Sequence, residues 1–381
     1  MSKPLKIYKN LEDLPTPCFV CYEQILENNL KILKKIEDKS KAKILLAFKG
    51  FALPASFELC KKYLSGTSAS GLNESILAKK FGKEVHTYSP AFKDEEFSEV
   101  LQNSNKVIFN SFSQWKKYKN QALEKVSCGL RINPQFSSVE VDLYNPCARY
   151  SRLGITKAEF DDNDLEGIEG FHFHALCEQN LDALKKVLDK FEQNFSQYFK
   201  DLKWLNFGGG HHITRVDYDV AGLITLLKNF KSRYPNLQIY LEPSEAVAWQ
   251  SGILLTKVLD LIKNEKNIAI LDTSVETHLP DILAMPYRAK IKNEILKTNK
   301  SHDYILGGIS CLAGDFLGEY SFEDKLKIGQ KLILEDMIHY TFVKTTTFNG
   351  INLPSLVYAR ITGDFEVIRD FGFDDYMMRL S

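Results

Sequence analysis

From about residue 40 to 245, short apolar runs alternate with stretches of helical periodicity. The runs Ile44–Phe48, Gly66–Ser68, Val85–Ser89, Val107–Asn110, Cys128–Asn133, Gly167–His174, Leu202–Phe207 and Gln238–Leu241 have the length and texture of strands. Ile44-Leu45-Leu46-Ala47-Phe48 is apolar throughout, the pattern of a strand buried on both faces. Between these runs, Leu72–Phe81, Leu181–Tyr198 and Val220–Tyr234 repeat apolar residues at helical intervals. Eight strands alternating strictly with helices predict a (β/α)8 barrel of the TIM type; six would have suggested a doubly wound sheet.

After about residue 250 the texture changes. Gly252–Leu261, Asn267–Leu271, Tyr304–Leu306, Ile338–Val343 and Leu356–Ile361 are separated by turn residues, with few long helical patterns. This predicts a mainly antiparallel β domain. The expected fold is therefore α/β, with a barrel over 15–250 and a β domain over 251–381. Leu5–Tyr8, within residues 1–14, is expected to add a strand to the second domain.

A length of 381 residues supports two domains. Its 49 basic residues balance 49 acidic ones, which argues against a nucleic-acid or anionic-membrane partner. The N-terminal segment MSKPLKIYKNLEDLPTPCF has no signal-peptide apolar core, and no stretch could span a bilayer, so a cytoplasmic protein is expected. The cysteines (18, 21, 60, 128, 147, 177 and 311) are odd in number and scattered, which suits reduced thiols. Cys18 and Cys21 lack the second pair or nearby histidine of a zinc set and read as core strand residues; no metal site is expected.

In a (β/α)8 barrel the chemistry sits at the C-terminal ends of the strands. Those ends offer Lys49, Ser68, Asn110, Arg131, His174, the run Gly208-Gly209-Gly210 and Glu242. A lysine where a buried strand emerges into a pocket loses solvation, which lowers its pKa and frees a neutral amine to attack carbonyls. Three consecutive glycines allow backbone N–H groups to approach a phosphate, although a tight βα turn would also use glycine. Glu242 could act as a general base, a metal ligand or a partner for a ring nitrogen, or simply end its strand in a salt bridge. His172 and His174 share one face of a strand, where they could bind a metal or stack on a cofactor. Spacing alone leaves Cys311, flanked by Gly307, Gly308 and Gly314, as an ordinary small core residue.

In combination these residues resemble the fold-type III pyridoxal-phosphate enzymes, the alanine racemase-like barrel proteins that include ornithine and diaminopimelate decarboxylases. Nearly the whole chain takes part, with the motifs in family order. Lys49 in LLAFKG matches the lysine that carries the cofactor, and GTSASGLNE matches the second-strand segment, with Ser68 where many members have aspartate and Glu74 at the family glutamate. His174 in FHFHALCE matches the histidine stacked on the pyridine ring, and NFGGGHH the phosphate loop. EPSE matches the EPGR-type motif, making Glu242 the ring-nitrogen partner. Arg131, at a strand end, joins the implied cofactor set. SCLAGD supplies Cys311 and Asp315 of the C-x-x-x-D element, and HYTFVKTTTFNG supplies Tyr340 as a phosphate ligand.

FHFHALCE, LDTSVETHLPDILAMPY and GGISCLAGD look like the carboxynorspermidine/carboxyspermidine decarboxylase branch of this family. Two departures from ornithine decarboxylase point the same way: Leu312 follows the cysteine in place of an acidic residue, and Glu245 replaces the arginine of EPGR. The resemblance implies pyridoxal phosphate as cofactor and a carboxylated polyamine as substrate. Lys49, Cys311 and His174 are then catalytic, with Cys311 protonating Cα. Asp272, Asp281, Glu245, Glu178 and Asp315 are the candidates for the cationic tail. It also implies a homodimer whose sites combine Lys49 of one chain with Cys311 and Tyr340 of the other. Diaminopimelate or ornithine decarboxylation, a non-catalytic regulatory homologue, and a metal-dependent hydrolase using His172, His174, His211 and Asp272 are the alternatives.

Overall fold

The structure, a computed structural model, describes residues 6–381. It divides into two compact units, one spanning Glu27–Val247 and the other joining the segment up to Leu26 with Ala248–Ser381. Strands β1 (Lys6–Tyr8) and β2 (Cys18–Tyr22) come first in the chain. Eight more follow in the first unit: β3 (Lys43–Ala47), β4 (Gly66–Ala69), β5 (Glu84–Tyr88), β6 (Lys106–Phe109), β7 (Ser127–Arg131), β8 (Ile168–His172), β9 (Trp204–Asn206) and β10 (Gln238–Leu241). All eight pair in parallel in sequence order, and β10 closes on β3 through Tyr240 beside Lys43 and Leu241 beside Ile44.

Each expected barrel strand is present. β3 is short enough that Lys49 lies two residues beyond its end, and His174 likewise lies two residues beyond β8. Leu45, Ile108, Trp204 and Tyr240 pack inside the barrel. The surrounding helices bury one stripe each, as their spacing predicts. In Leu181–Phe195, Leu181, Leu184, Val187, Leu188, Phe191 and Phe195 are buried, and in Val220–Arg233 Leu223, Ile224, Leu227 and Phe230 are. The latter helix starts where the Asp219 carboxylate accepts the Gly222 N–H at 2.8 Å, satisfying a donor that has no partner within the helix.

The second unit adds β11 (Gly252–Asn264), β12 (Lys266–Leu271), β13 (His302–Gly307), β14 (Phe316–Phe322), β15 (Lys331–Glu335), β16 (Ser355–Ala359) and β17 (Phe365–Arg369). Its sheet runs β1-β17-β16-β2-β11-β12-β13-β14, with β15 also on β11. Within this sheet, among the described strands, only β2 with β16 and β12 with β13 pair in parallel. Cys18, Val20, Ile253, Leu255, Val357, Ala359 and Val367 form a core on this sheet, so Cys18 is the core strand residue expected of it.

Residues 15–26, read from sequence as the start of the barrel, lie in the sheet unit, because β2 pairs with β11 and β16. β1 joins the sheet through β17, as expected for Leu5–Tyr8; Leu5 itself lies outside the described residues. The Ile338–Val343 run is corrected from strand to a helical turn, Tyr340–Val343. Asp336 takes a left-handed φ of 61° immediately after β15 and turns the chain, and the Thr341 hydroxyl then donates to Asp281 at 2.7 Å. Among the described residues no helix is long and apolar enough to cross a membrane.

Candidate active site

Lys49, Ser68, Arg131, His174, the glycine run and Glu242 all emerge from the C-terminal ends of the barrel strands. The Lys49 side chain is open to solvent, yet its surroundings couple it to Arg131, Glu242, Cys177 and Glu74. Desolvation, followed by the Arg131 guanidinium, lowers its pKa from the ordinary 10.5, while Glu242, Cys177 and Glu74 pull it upward. An amine that is both accessible and electrostatically crowded suits reaction with an aldehyde. The direction of the shift also fixes the pH response. Capture of an aldehyde by this amine should speed up as pH rises, through a midpoint below 10.5, and then level off, as stopped-flow absorbance would record.

Glu242 is 9% exposed. Its Oε1 accepts the Asn206 amide at 2.6 Å, and its Oε2 faces His172 Nε2 at 3.7 Å. Burial would raise its pKa, but His172, His86 and Asn206 outweigh that and lower it to about 2. It is therefore a buried carboxylate that keeps its charge at neutral pH. His174 Nδ1 accepts the Gly209 N–H at 2.9 Å, so its proton sits on Nε2. Burial, then Lys49 and Arg131, push its pKa well below the usual value, leaving a neutral ring.

A side chain on any of the three glycines would strike backbone: the Cβ position is 2.4 Å from Phe173 O at Gly208, 2.4 Å from Glu242 O at Gly209 and 2.1 Å from Leu176 O at Gly210. Close strand packing thus explains the run in part. Gly208 N–H donates to Asn206 Oδ1 at 2.9 Å, and Gly209 N–H to His174, which narrows the expected anion contact to Gly210. Arg131 is buried and lies 4.5 Å over the Tyr88 ring. The Tyr88 hydroxyl in turn donates to Asn110 at 2.7 Å. Ser68 is buried beside Lys49's strand, its carbonyl accepting the Phe48 N–H at 3.0 Å.

Of the acidic candidates, the barrel unit holds Glu178 and Glu245, which converge with His212 so that one ligand atom from each lies within 4.8 Å of the others. Arg215 Nη1 faces His212 Nδ1 at 3.2 Å, which directs the Nε2 proton toward Glu245 Oε2 at 3.4 Å. Cys177 adjoins this cluster: burial, then Glu178 and Glu245, raise its thiol to about 11 against the pull of Lys49.

The sheet unit holds Cys311, Tyr340, Asp272, Asp281 and Asp315. Cys311 is exposed, correcting the core reading that its spacing alone favoured. Its N–H donates to Asn349 Oδ1 at 3.0 Å, and Asn349 holds a left-handed φ of 60°. Asp315 accepts Val275 N–H at 2.7 Å and Ser310 N–H at 3.0 Å, one on each oxygen, which ties down the cysteine loop. Asp272 Oδ1 accepts both Thr256 and Lys257, at 2.7 and 2.8 Å. Asp281 Oδ2 accepts the Tyr287 and Thr341 hydroxyls, each at 2.7 Å, whereas its buried Oδ1 has no hydrogen-bond partner among the described residues. Tyr340 starts the helical turn that Thr341 anchors to Asp281.

Sequence reasoning missed Asn206, His86 and Asn349. Position beside the glycine run, and within the FNG of HYTFVKTTTFNG, were the available signals for the first and last. If Asn349 aims the Cys311 peptide, Asn349→Gly, which keeps the backbone relaxed but removes the acceptor, should lower kcat about tenfold. Asn349→Asp should stay near wild type in the same steady-state assay.

Residues 18–338 match the pyridoxal-dependent decarboxylase family described by its C-terminal sheet domain, and the chain belongs to that family. The carboxynorspermidine/carboxyspermidine decarboxylase of Campylobacter jejuni is 48% identical over 380 residues, covering 97% of this chain and 99% of that one. The carboxyaminopropylagmatine decarboxylase of Synechocystis is 44% identical, covering 97% of each. The crystal structure of C. jejuni carboxynorspermidine decarboxylase with norspermidine superposes with a TM-score of 0.90 at 46% identity, covering 96% of this chain and all of that one. A diaminopimelate decarboxylase from Helicobacter pylori shares the fold, with a TM-score of 0.83 at 18% identity.

Proposed function

We propose that this chain decarboxylates carboxynorspermidine and carboxyspermidine to norspermidine and spermidine, a step of polyamine biosynthesis, with pyridoxal phosphate as cofactor. One observation carries the reading: a crowded amine, a permanently charged buried carboxylate and a neutral imidazole converge at the barrel mouth. Those are the groups that the cofactor's aldehyde, ring nitrogen and ring face require, and the residues present fit it.

When bound, pyridoxal phosphate supplies an electron sink for the bond to the departing carboxylate. Lys49 would hold the cofactor at its aldehyde carbon, through an amine whose pKa is lowered from the ordinary 10.5. Glu242 holds a proton at the ring nitrogen, because a charged carboxylate favours the protonated form. His174 would offer its uncharged ring face to the cofactor, and the Gly209 N–H holds the imidazole in orientation. Gly210, Arg131 and Ser68 would complete the cofactor cradle, with Tyr340 of the partner subunit. Once CO2 has left, Cys311 delivers a proton to Cα. Asp315 serves that step by securing the Cys311 loop.

The substrate's cationic tail needs carboxylates. Glu178 and Glu245 offer a convergent pair beside Cys177, which also feels Lys49, and Asp281 offers an oxygen with no donor among the described residues. Replacing a carboxylate that pairs with the tail should raise KM for the carboxylated polyamine by roughly tenfold or more, with kcat much less affected. Alanine variants at Glu178, Glu245, Asp272 and Asp281 sort the candidates; any whose KM is unchanged does not hold the tail.

The enzyme works in the cytoplasm as a homodimer in which Lys49 of one subunit acts with Cys311 and Tyr340 of the other. Mixed dimers of Lys49→Ala and Cys311→Ala chains should regain about a quarter of the activity, since one site in each hybrid is intact. No recovered activity would rule out a shared site. The substrate assignment has its own test: norspermidine should perturb the cofactor's visible band at micromolar concentration, whereas putrescine and lysine should not. An equal response to all three would contradict it.

A further inference from the structure

A polar chain of side chains runs through the barrel interior below the cofactor end. Asn206, on β9, is fully buried and makes three contacts. Its Oδ1 accepts the Gly208 N–H at 2.9 Å; its Nδ2 donates to Glu242 Oε1 at 2.6 Å and lies 3.4 Å from His86 Nδ1. The partners fix the amide's orientation, since the oxygen meets an N–H while the nitrogen meets a carboxylate and an imidazole nitrogen.

His86, on β5, is also fully buried. Receiving the amide at Nδ1 places its proton on Nε2, which faces Glu84 Oε1 at 3.2 Å. Glu84 is anchored in turn by Lys43 at 2.8 Å, the Tyr240 hydroxyl at 2.8 Å and Lys106. Every hydrogen in this series has one direction available to it, from Asn206 through His86 to Glu84, and from Asn206 to Glu242. Such fully satisfied networks in a low-dielectric interior hold their members rigidly.

We propose that Asn206 is the positioning residue of the cofactor site, joining the ring-nitrogen carboxylate Glu242 to the glycine run and aligned by His86 and Glu84. It acts through Glu242 and Gly208. A single buried amide therefore sets the spacing between the two ends of the cofactor cradle. Burial of Glu242 would favour its neutral form, and the Asn206 donor is one of the groups that oppose this. The proposal rests on Glu242 as the ring-nitrogen partner.

The test uses Asn206→Asp, which keeps the volume but replaces the donor with a second carboxylate, and Asn206→Leu, which removes all three contacts. Three readouts are compared with wild type: the dissociation constant of pyridoxal phosphate from apoprotein titration, the ratio of the cofactor absorption bands, and kcat against KM. Both variants should weaken cofactor binding and lower kcat by about tenfold to a hundredfold, the usual effect of losing an orienting partner, with KM within about twofold. Asp should be no better than Leu, although a pure packing role would favour it. Wild-type cofactor affinity, band ratio and kcat in Asn206→Asp would overturn the proposal.

Glu242→Gln is run in parallel. If it too behaves as wild type, the reading of Glu242 fails and the proposal falls with it. If Glu242→Gln is impaired while Asn206→Asp is not, the positioning role alone fails. Should neither Asn206 variant fold, His86→Phe leaves Asn206 in place and removes the acceptor that aligns its amide, together with the Nε2 contact to Glu84. A threefold or larger fall in cofactor affinity there supports the proposal, and an unchanged affinity overturns it.

Discussion

Lys49→Ala should lose decarboxylation and the visible absorption of bound cofactor together, while melting no lower than wild type. The Lys49 amine is solvent-accessible but electrostatically crowded by Arg131, and among the described residues no hydrogen bond depends on it. Removing it therefore takes away an unfavourably placed cation and leaves packing intact. The loss in kcat should be on the order of a thousandfold or more, because the proposed mechanism has this amine hold the cofactor covalently. Borohydride reduction of wild type should fix the cofactor's mass on the peptide containing Lys49. Activity within tenfold of wild type, or the cofactor trapped on another lysine, would remove Lys49 from the mechanism.

Glu242→Gln should show the second large effect. Glutamine matches glutamate in volume and can still accept the Asn206 amide, but it carries no charge. With no anion opposite the ring nitrogen, kcat should fall on the order of a hundredfold to a thousandfold. Stability at neutral pH should fall, because the contacts to His172, His86 and Asn206 outweigh the desolvation that losing the charge would lift. The sign of the pH response also follows. Because the native carboxyl titrates near 2, below the ordinary carboxylate value, its ionised form stabilises the fold above about pH 4, and this contribution fades as pH falls toward 2. Wild type should thus lose more stability than Glu242→Gln on acidification, as thermal melts across that range would record.

Much of the barrel was legible in the sequence because strands covered on both faces read as unbroken apolar runs, and Ile44–Phe48 is one. The sheet unit was harder to read. β14 is interrupted by Gly318 at φ 133°, and β15 alternates with charged ends at Lys331 and Glu335. Ile338–Val343 has strand composition, yet a left-handed Asp336 and the Thr341–Asp281 hydrogen bond make it a helical turn. Tertiary contacts override propensity there.

The site divides in the same way. Lys49, His174, Glu242 and the glycine run announce themselves by position at strand ends, where barrel chemistry gathers. Asn206 and His86 do not, because what makes them matter is a contact between residues 120 apart in sequence. Asp315 was legible as a motif residue but not in its contacts, which are two backbone N–H groups.

The most direct test of the central claim is a comparison of kcat/KM for the purified, cofactor-loaded enzyme on carboxynorspermidine, carboxyspermidine, carboxyaminopropylagmatine, ornithine, lysine and diaminopimelate. The account predicts that the first two are converted to norspermidine and spermidine with values within about a hundredfold of each other, since one methylene changes binding by about 1–3 kcal/mol. Both should exceed ornithine, lysine and diaminopimelate by at least about a thousandfold, because those lack the extended cationic tail. Comparable turnover of ornithine or diaminopimelate, or no release of CO2 from either carboxylated polyamine, would contradict it.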